Sequence, residues 1–490
     1  MSIPSRPNIV LLISDNQRLD TLGILGRTPC RTPTWDRVAR EGVLVENLRT
    51  TSPICSPARA SFFTGFQPHQ AGMPHLPYLG ALRVGEEDEY PDMEITLPPI
   101  SHYLRKEGYQ CLYAGKWHLG TRNIQRWFDW VSACDNGERS YAEWCRWQGV
   151  PDGFIFHDDE RSGPYRSAHY PRMTVPRTGI LDIPADKEHN RWILGHGFEM
   201  FGLRDPDKPF FLVISLEGPH PPLVVPEPWY HLYDPEAIPE PGNWNPGPDE
   251  PGFLEGSYYR RLRNEWGEDF SAWRKSIAVY WGYATYIDWL FGRFVQRLEE
   301  CDLLDDTLLV MLSDHAEMMG QHGLWQKFCP YEEAIRVPWA LRWPAAFKPG
   351  TRCRVDASHV DVAATLLDLA GVEVGSLGLE GESLVPCMTG AEPEPPARDC
   401  FVQYNVARNF ADWHGVENWR AMVRRPWKYV LHENGETELY HLGDDPGELT
   451  NLAGRSDGSA TAAALREALL AWSRRTGDPF VEQLEARAGR

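Results

Sequence analysis

Four short apolar segments, each followed by polar residues, constrain the fold of this chain more than any other feature. They are Asn8–Ile13, Tyr109–Gly115, Phe210–Ser215 and Thr307–Leu312. Nearly continuous hydrophobic runs of this length are typical of strands that are buried on both faces of a parallel sheet. Helical patterns lie between these segments. Alternating strands and helices predict a layered α/β/α domain.

Three of the helical patterns stop at or just before a glycine, which is a common signal for the C-terminal end of a helix. The helical segments and their glycines are Thr34–Glu41 with Gly42, Leu97–Lys106 with Gly108, and Val360–Ala370 with Gly371. Two other regions are rich in aromatic residues, proline and glycine, and we predict that they are irregular loops over a site. These regions are Thr121 to Asp207 and Pro235 to Pro251.

The pattern changes after about Gly375 to short strand-like segments separated by turns. Arg420–Arg424, Trp427–Leu431 and Glu438–Leu442 are predicted strands, and Ala460–Thr476 is a predicted amphipathic helix. We therefore predict two domains. Residues 1–375 form the catalytic α/β/α domain, and residues 376–490 form a small α+β domain with an antiparallel sheet and a helix.

Ionisable or metal-binding residues follow each of the four buried segments, where the predicted strands end. They are Asp15 and Asn16, Lys116 and His118, His220, and Asp314 and His315. Polar residues end strands in most proteins, so one such cluster would carry little information. In open α/β sheets, however, ligands bind beyond the carboxyl ends of the strands. Four clusters at one edge of a sheet therefore predict a single functional site.

The charge balance limits the partners of this protein. Its 490 residues include 49 Lys and Arg against 69 Asp and Glu, a formal net charge of −20. This charge argues against nucleic acid or an anionic membrane surface as the main partner. No apolar stretch approaches the ~18 residues of a membrane span. An acidic protein that binds a small anionic substrate must concentrate positive charge locally.

Two features bear on the cellular compartment. No basic and apolar leader precedes Asn8, and the ten cysteines form no CxxC pairs. We therefore expect reduced thiols and a cytoplasmic protein.

Cys55 lies in a segment that combines several features of a reactive site, Cys55-Ser56-Pro57-Ala58-Arg59. Ser56 is a favourable helix cap and Pro57 suits the first helical position. Cys55 would then lie at a helix N-terminus, where free N–H groups favour an anion, and Arg59 would add a positive charge. A lone cysteine is more often a small buried apolar residue.

The same five residues resemble the C-x-P-x-R signature of the sulfatase family, in which the cysteine is oxidised to formylglycine. Other segments resemble the family in the same order along the chain, namely Asn8–Gly23, Gly115–Gly120, Ser313–Glu317, Gly323–Lys327 and Glu438–Ala453. This resemblance implies an alkaline-phosphatase-like α/β/α sandwich with a small C-terminal domain. It also implies maturation by a formylglycine-generating enzyme.

The resemblance implies a role for each candidate site residue. The ligands of a divalent cation would be Asp15, Asn16, the modified Cys55, Asp314 and His315. Oxygen-rich ligation favours a hard cation, and calcium is the ion that the family implies, with manganese as the alternative. Arg59, Lys116, His220 and Lys327 would bind the sulfate ester. His118 would act as the base that releases sulfate, and His220, with Lys327, would protonate the leaving alcohol.

The implied reaction is the hydrolysis of an aryl or carbohydrate sulfate. An oxygen of the hydrated aldehyde attacks sulfur, the alcohol leaves, and the second hydroxyl then expels sulfate and regenerates the aldehyde. Asn16 departs from the two adjacent aspartates of many sulfatases and resembles related phosphonate monoester and phosphodiester hydrolases. Such a hydrolase is the alternative function. A non-catalytic binding protein with unmodified Cys55 is a third hypothesis, whereas a simple phosphatase would normally place Ser or Thr there.

Overall fold

The computed structural model describes residues 6–76, 93–120, 124–133, 138–150, 156–157, 178–181, 183–245, 251–254, 269–391, 397–406, 417–456 and 458–488. Seventeen strands lie within these residues. In chain order the strands are β1 (Asn8–Ser14), β2 (Val43–Val45), β3 (Leu48–Arg49), β4 (Gln110–Gly115), β5 (Trp130–Ser132), β6 (Phe156–His157), β7 (Thr178–Leu181), β8 (Phe210–Ser215), β9 (Leu223–Val225), β10 (Thr307–Ser313), β11 (Trp339–Arg342), β12 (Thr351–Cys353), β13 (Ala357–Ser358), β14 (Cys400–Tyr404), β15 (Trp419–Arg424), β16 (Trp427–His432) and β17 (Thr437–His441).

Eight strands form the central sheet in the order β12-β2-β11-β10-β1-β8-β4-β5. The four strands predicted from the apolar segments, β10, β1, β8 and β4, are neighbours in this order and run parallel. Ser14 pairs with Ser313, and Gly115 pairs with Ser215, so their carboxyl ends lie at one edge of the sheet. The predicted convergence of the four strand ends is confirmed.

Both faces of the central sheet are covered by apolar packing. Val10 and Leu12 of β1 belong to one hydrophobic cluster, whereas Ile9, Leu11 and Ile13 belong to another. This alternation follows from the two-residue period of a strand. Buried helices contribute to both clusters, so the domain is an α/β/α sandwich, as predicted.

Five of the twelve described α-helices were expected from the sequence, with shifted ends, namely those that begin at Pro33, Cys55, Ile100, Val360 and Ser459. The bounds of the twelve helices are Pro33–Glu41, Cys55–Thr64, Ile100–Lys106, Ile124–Trp127, Glu138–Trp147, His189–Gly202, Ser271–Glu300, Glu332–Ile335, Val360–Leu369, Val385–Thr389, Ser459–Thr476 and Phe480–Ala488. Gly108 and Gly371 have the left-handed φ of a helix stop, 87° and 81°. Gly42 does not, since its φ is −144°. A Cβ at Gly42 would lie 2.0 Å from the Leu341 carbonyl oxygen, so close packing accounts for this glycine.

The prediction of an irregular region from Thr121 to Asp207 is wrong in several places, which include the helices Ile124–Trp127 and Glu138–Trp147 and the strand Thr178–Leu181. Trp130–Ser132 is the edge strand β5 of the central sheet, and His189–Gly202 is a helix of 14 residues. The glycines of this segment are poor helix formers, so the sequence does not indicate the helix. Gly197 allows close packing, because a Cβ there would lie 2.7 Å from Ile214 Cδ1. Residues 121–123, 134–137, 151–155, 158–177 and 182 of this region lie outside the described residues, as does 246–250 of the second predicted loop.

A separate antiparallel sheet follows, with the order β14-β15-β16-β17. Three of its strands and the helix Ser459–Thr476 match the sequence prediction. One face packs on Ile54, Met318 and other apolar residues near the strand ends of the central sheet, and the other face packs on the helix. The division of the chain at residue 375 stays a prediction.

Within the described part of the chain, no helix combines the length and the apolar character that crossing a membrane would require. The nine cysteines that the structure describes are all free thiols.

Candidate active site

Cys55 is the first residue of a helix whose N-terminus faces the convergent strand ends. The helix Cys55–Thr64 follows Ile54, whose carbonyl oxygen accepts the first helical hydrogen bond, from Ala58 N–H at 3.0 Å. The predicted cap is therefore wrong by two positions, since Ser56 lies inside the first turn and its hydroxyl has no hydrogen-bond partner among the described residues. Pro57 still removes no helical hydrogen bond, because the first N–H groups of a helix have no acceptor within the helix.

Four of the predicted metal ligands form one buried cluster. Candidate ligand atoms of Asp15, Cys55, Asp314 and His315 all lie within 4.8 Å of one another. Cys55 Sγ is 3.1 Å from His315 Nε2 and 3.9 Å from Asp15 Oδ1. His315 Nε2 lies 3.7 Å from Asp15 Oδ1 and 3.8 Å from Asp314 Oδ1. Such spacings fit donors around one cation, for which metal–oxygen distances are about 2.3–2.6 Å for calcium.

Asn16, the fifth predicted ligand, lies beside this cluster and is fully buried. Its backbone N–H donates to Asp314 Oδ1 at 3.1 Å, and its side-chain Nδ2 donates to Glu317 Oε2 at 2.8 Å. Its Oδ1 has no hydrogen-bond partner in the described structure. A buried amide oxygen without a partner is costly, so this atom is available to a cation.

The outer oxygens of the two aspartates are held by cationic side chains. Arg59 donates from Nε to Asp314 Oδ2 at 2.9 Å, and from Nη2 to Asp15 Oδ2 at 3.2 Å. Lys116 Nζ lies 2.7 Å from the same Asp15 oxygen. The Oδ1 atoms of both carboxylates therefore lie on the side of Cys55 and His315. Burial opposes ionisation of Asp15, but the charges of Lys116 and its other neighbours lower its pKa well below the usual value.

His315 presents the ring nitrogen that a metal would need. Its Nδ1 lies 3.2 Å from the Ala316 carbonyl oxygen, which can only accept a hydrogen bond. The proton therefore lies on Nδ1 and the lone pair on Nε2, which faces Cys55. Burial, followed by the positive charge of Lys327, lowers the pKa of His315 to about 4, so the ring is neutral at pH 7.

Lys327 and His220 meet near Cys55. Lys327 Nζ lies 2.7 Å from His220 Nε2, and His220 Nδ1 lies 2.6 Å from the Pro221 carbonyl oxygen. The carbonyl requires a donor, so Nδ1 carries the proton and Nε2 accepts from the lysine. Burial, and then the charge of Lys327, lowers the pKa of His220.

The pKa values of His118 and Cys55 are both shifted downward by their surroundings. Burial and the charges of Lys116 and Arg59 lower the pKa of His118 well below its usual value, so the imidazole is neutral and able to accept a proton. Burial and Asp15 raise the pKa of the Cys55 thiol, but Lys116, Lys327 and the contact with His220 outweigh them, and the net shift is downward. The position of Cys55 therefore favours an anion.

The cluster brings together three cationic side chains, Arg59, Lys116 and Lys327, and two carboxylates, Asp15 and Asp314. Positive charge is thus locally in excess in a chain whose formal net charge is −20. The predicted concentration of positive charge is present, and a divalent cation would increase it.

Several residues that support the site were not assigned a role from the sequence. Ser215 Oγ accepts from Arg59 Nη1 at 2.9 Å, and Tyr280 donates to the Asn16 carbonyl oxygen at 2.7 Å. Glu317 binds the Asn16 amide. Ser215 and Glu317 stand in segments that the sequence analysis had singled out, whereas Tyr280 lies in a helix that it had not.

Comparisons with known proteins agree with this site. The family model described as Sulfatase matches residues 7–372, and the model described as N-sulphoglucosamine sulphohydrolase, C-terminal, matches residues 320–475. An arylsulfatase of Clostridium perfringens is 29% identical over 487 residues, which cover 95% of this chain and 94% of that protein.

Two solved structures share the fold across almost the whole chain. The structure of BT4656 in complex with its substrate D-glucosamine-2-N,6-O-disulfate has a TM-score of 0.74 at 21% identity, covering 97% of this chain and 99% of that one. The phosphonate monoester hydrolase of Agrobacterium radiobacter has a TM-score of 0.77 at 23% identity, covering 96% of each chain. The fold is the alkaline-phosphatase-like sandwich that the sequence predicted.

The chain belongs to the sulfatase family. It is a sulfuric ester hydrolase. The hypothesis of a non-catalytic binding protein is therefore wrong.

Proposed function

We propose that this enzyme cleaves an aryl or carbohydrate sulfate with a formylglycine made from Cys55 and a divalent cation held by Asp15, Asn16, Asp314 and His315. The observation that carries the proposal is the buried cluster of candidate ligands around Cys55. The Cys55 thiol stands where the oxygens of the hydrated aldehyde would be. The modification would supply an oxygen nucleophile and a hydroxyl able to release sulfate.

Calcium is the cation that we propose, with manganese as the alternative. Two carboxylates, the free Oδ1 of Asn16 and an oxygen of the matured residue 55 form an oxygen-rich donor set, which favours a hard cation. His315 adds one nitrogen donor, which keeps manganese as an alternative. The cation would polarise the sulfate oxygens and the nucleophile.

Lys116, Lys327 and Arg59 would stabilise the negative charge of the bound sulfate and of its transition state. Lys116 and Lys327 both lower the pKa of the Cys55 thiol electrostatically, which supports their position near the reacting atoms. Arg59 donates to Asp15, Asp314, the Lys116 carbonyl oxygen and Ser215. These bonds support a further role for Arg59, which is to fix the two carboxylates.

The two proton transfers would use different residues. His118 is neutral at pH 7 and would accept the proton whose removal allows sulfate to leave. Lys327 holds a proton against His220 Nε2. Lys327 would therefore donate this proton to the leaving alcohol, and His220 would orient the ammonium group and bind the substrate.

The substrate class follows from relatives rather than from the site alone. The arylsulfatase of C. perfringens and the complex of BT4656 with a disulfated glucosamine favour aryl or carbohydrate sulfates. Asn16 favours the second candidate, a phosphonate monoester or phosphodiester hydrolase. The similarity to the phosphonate monoester hydrolase of A. radiobacter also supports this candidate.

The test compares kcat/KM for nitrophenyl sulfate, a panel of sulfated sugars and a nitrophenyl phosphonate ester. The enzyme would be produced together with a formylglycine-generating enzyme, and mass spectrometry of the residue 55 peptide would verify the aldehyde. We expect the sulfates to be preferred, activity to disappear with a chelator, and calcium to restore it. Cys55→Ala is the matched inactive control.

Three outcomes would contradict separate parts of the proposal. A large preference for the phosphonate ester would favour the second candidate. Full activity of a preparation that contains only unmodified cysteine would refute the nucleophile. Restoration of activity by manganese but not by calcium would correct the metal.

A further inference from the structure

Glu317 is in contact with Asn16 and has no role in the proposed chemistry. Both side chains are fully buried. Asn16 Nδ2 donates a hydrogen bond to Glu317 Oε2 at 2.8 Å. A carboxylate in contact with a candidate cation ligand can act on the cation through that ligand.

The backbone of Asn16 is fixed, so only its side chain can vary. Its N–H donates to Asp314 Oδ1 at 3.1 Å, and its carbonyl oxygen accepts from the Tyr280 hydroxyl at 2.7 Å. Its φ of 68° lies in the left-handed region, which asparagine tolerates better than most residues. The remaining question is which end of the amide faces the cation site.

The carboxylate of Glu317 answers that question, because in its ionised form it can only accept hydrogen bonds. Burial raises the pKa of Glu317 to about 7, so the ionised form predominates at pH 8. The amide must turn its NH₂ group toward Glu317, which leaves Oδ1 on the other side. That oxygen is buried and has no hydrogen-bond partner among the described residues. Rotation of the amide by 180° would bring two oxygens together and would offer NH₂, which cannot bind a cation.

Glu317 also adds a negative charge next to the side-chain amide of Asn16. Many sulfatases carry a second aspartate where this chain has Asn16. The amide of Asn16 lacks the negative charge of that aspartate. Among the described residues Glu317 Oε1 has no hydrogen-bond partner, so the Asn16 amide is the hydrogen bond that holds this carboxylate.

We propose that Glu317 is a positioning residue that turns Asn16 Oδ1 toward the cation and supplies the negative charge that Asn16 lacks. The inference rests on the cation site proposed above. It predicts that the carboxylate and the amide can be exchanged between positions 16 and 317 without loss of cation binding.

The experiment measures calcium and manganese binding by calorimetry on the full-length, matured enzyme at pH 8. Glu317→Gln should weaken binding about 10- to 100-fold, the usual effect of removing the partner of a metal ligand. The double variant Asn16→Asp/Glu317→Gln should bind within about threefold of wild type on this argument. In the double variant the new amide at position 317 donates to the new carboxylate at position 16, whose second oxygen faces the cation.

Glu438→Gln is the matched control, since Glu438 is a buried carboxylate that accepts from His432 and Tyr440 within the C-terminal sheet. It should leave cation binding unchanged. If Glu317→Gln folds poorly, the double variant still decides the test. Its cation affinity is compared directly with that of the wild-type enzyme.

The remaining possible results of the binding measurements contradict either this inference or the proposed metal site. Wild-type binding by Glu317→Gln would overturn the inference and leave the proposed function intact. Weak binding by both the single and the double variants would also overturn it, since a residue needed only for packing would not be rescued by a change at position 16. A wild-type enzyme that binds neither cation would instead refute the proposed metal site.

Discussion

Lys327 donates a hydrogen bond from Nζ to His220 Nε2 across 2.7 Å, and this contact determines which residue of the pair holds the transferable proton. His220 already donates from Nδ1 to the Pro221 carbonyl oxygen at 2.6 Å. The lowered pKa of His220 agrees with a neutral ring. The leaving alcohol would therefore receive its proton from lysine, with histidine as the group that holds the lysine in place.

Lys327→Ala should reduce activity in proportion to the need of the leaving group for a proton. General acid catalysis contributes about 10²- to 10⁴-fold for a poor leaving group and little for a good one. We expect a loss of that size in kcat with a sugar or alkyl sulfate, and a much smaller loss with nitrophenyl sulfate. The measurement is kcat across a series of sulfates whose alcohols differ in pKa.

Lys208→Ala is the control for this series, because Lys208 is exposed and pairs only with Asp205 among the described contacts of its side chain. Lys208→Ala should change neither kcat nor the dependence of kcat on the pKa of the leaving alcohol. An equal loss for Lys327→Ala across the whole series would show that Lys327 serves binding of the sulfate group rather than proton donation.

His118→Ala should separate the two halves of the reaction. The alcohol would still leave, but release of sulfate would slow by about 10²- to 10⁴-fold without its base. Stopped-flow measurement with nitrophenyl sulfate should therefore give one rapid equivalent of nitrophenol followed by slow turnover. The exposed His231→Ala is the control, and loss of the rapid phase in His118→Ala would contradict the assignment.

The pH dependence of the wild-type enzyme follows from the same residue. Burial and the charges of Lys116 and Arg59 depress the pKa of His118, so the neutral base persists below pH 6.5. As pH falls, the rate of sulfate release should stay constant through 6.5 and decline only below it. A decline centred at 6.5 or higher in a single-turnover measurement of this step would contradict the depressed pKa.

The central strands could be predicted because their signal is local. Strand β1 is seven residues long, with one partly exposed residue followed by six buried ones, and only an apolar sequence satisfies such an environment. The helix Ser271–Glu300 was missed for the opposite reason. It buries Tyr280, Ala284 and Ile287 among others, and aromatic residues lie on several of its sides, so no simple amphipathic pattern marks it.

The candidate site likewise contains residues that a local sequence signal predicts and contacts that no local signal predicts. Cys55 and Asp314 lie in short motifs that a sequence displays directly. The contact between Asn16 and Glu317 joins residues 301 positions apart, and nothing in either local segment indicates it. The position of Ser56 could not be predicted either, because the start of the helix depends on the extended conformation of Ile54.

Arg59→Lys should destabilise the protein and weaken cation binding, although it keeps the charge. The planar guanidinium bonds Asp15, Asp314, Ser215 and a carbonyl oxygen at once, and an ammonium group cannot reproduce that geometry. Breaking buried ion pairs typically costs about 3–5 kcal/mol. Urea unfolding would measure the loss of unfolding free energy, and calorimetry would measure the loss of cation affinity.

Arg424→Lys is the matched control for Arg59. Arg424 also makes a two-pronged contact with one carboxylate, Asp399, at 2.6 and 2.7 Å, but it is exposed. Exposed pairs contribute about 0–1 kcal/mol, so this change should have a small effect. Similar destabilisation by the two substitutions would contradict a special role for the buried guanidinium.

Asp478→Asn should destabilise the C-terminal domain in a pH-dependent way. Asp478 is buried and accepts from Arg420 Nε and Nη2 at 2.5 and 2.7 Å. Burial alone would raise the pKa of Asp478, but the charge and hydrogen bonds of Arg420 outweigh it and lower the pKa below 3.8. The stabilisation is therefore fully present above pH 3.8 and is lost as pH falls through the lower, folded-state pKa.

At pH 7 the substitution should cost about 3–5 kcal/mol, the usual effect of breaking a buried pair. The difference between wild type and Asp478→Asn in thermal unfolding should shrink when both are measured at progressively lower pH below 3.8. Asp399→Asn, in the exposed pair with Arg424, should cost under about 1 kcal/mol at pH 7. A difference between wild type and Asp478→Asn that is constant down to the acid unfolding transition would show that packing, rather than the ion pair, anchors this part of the chain.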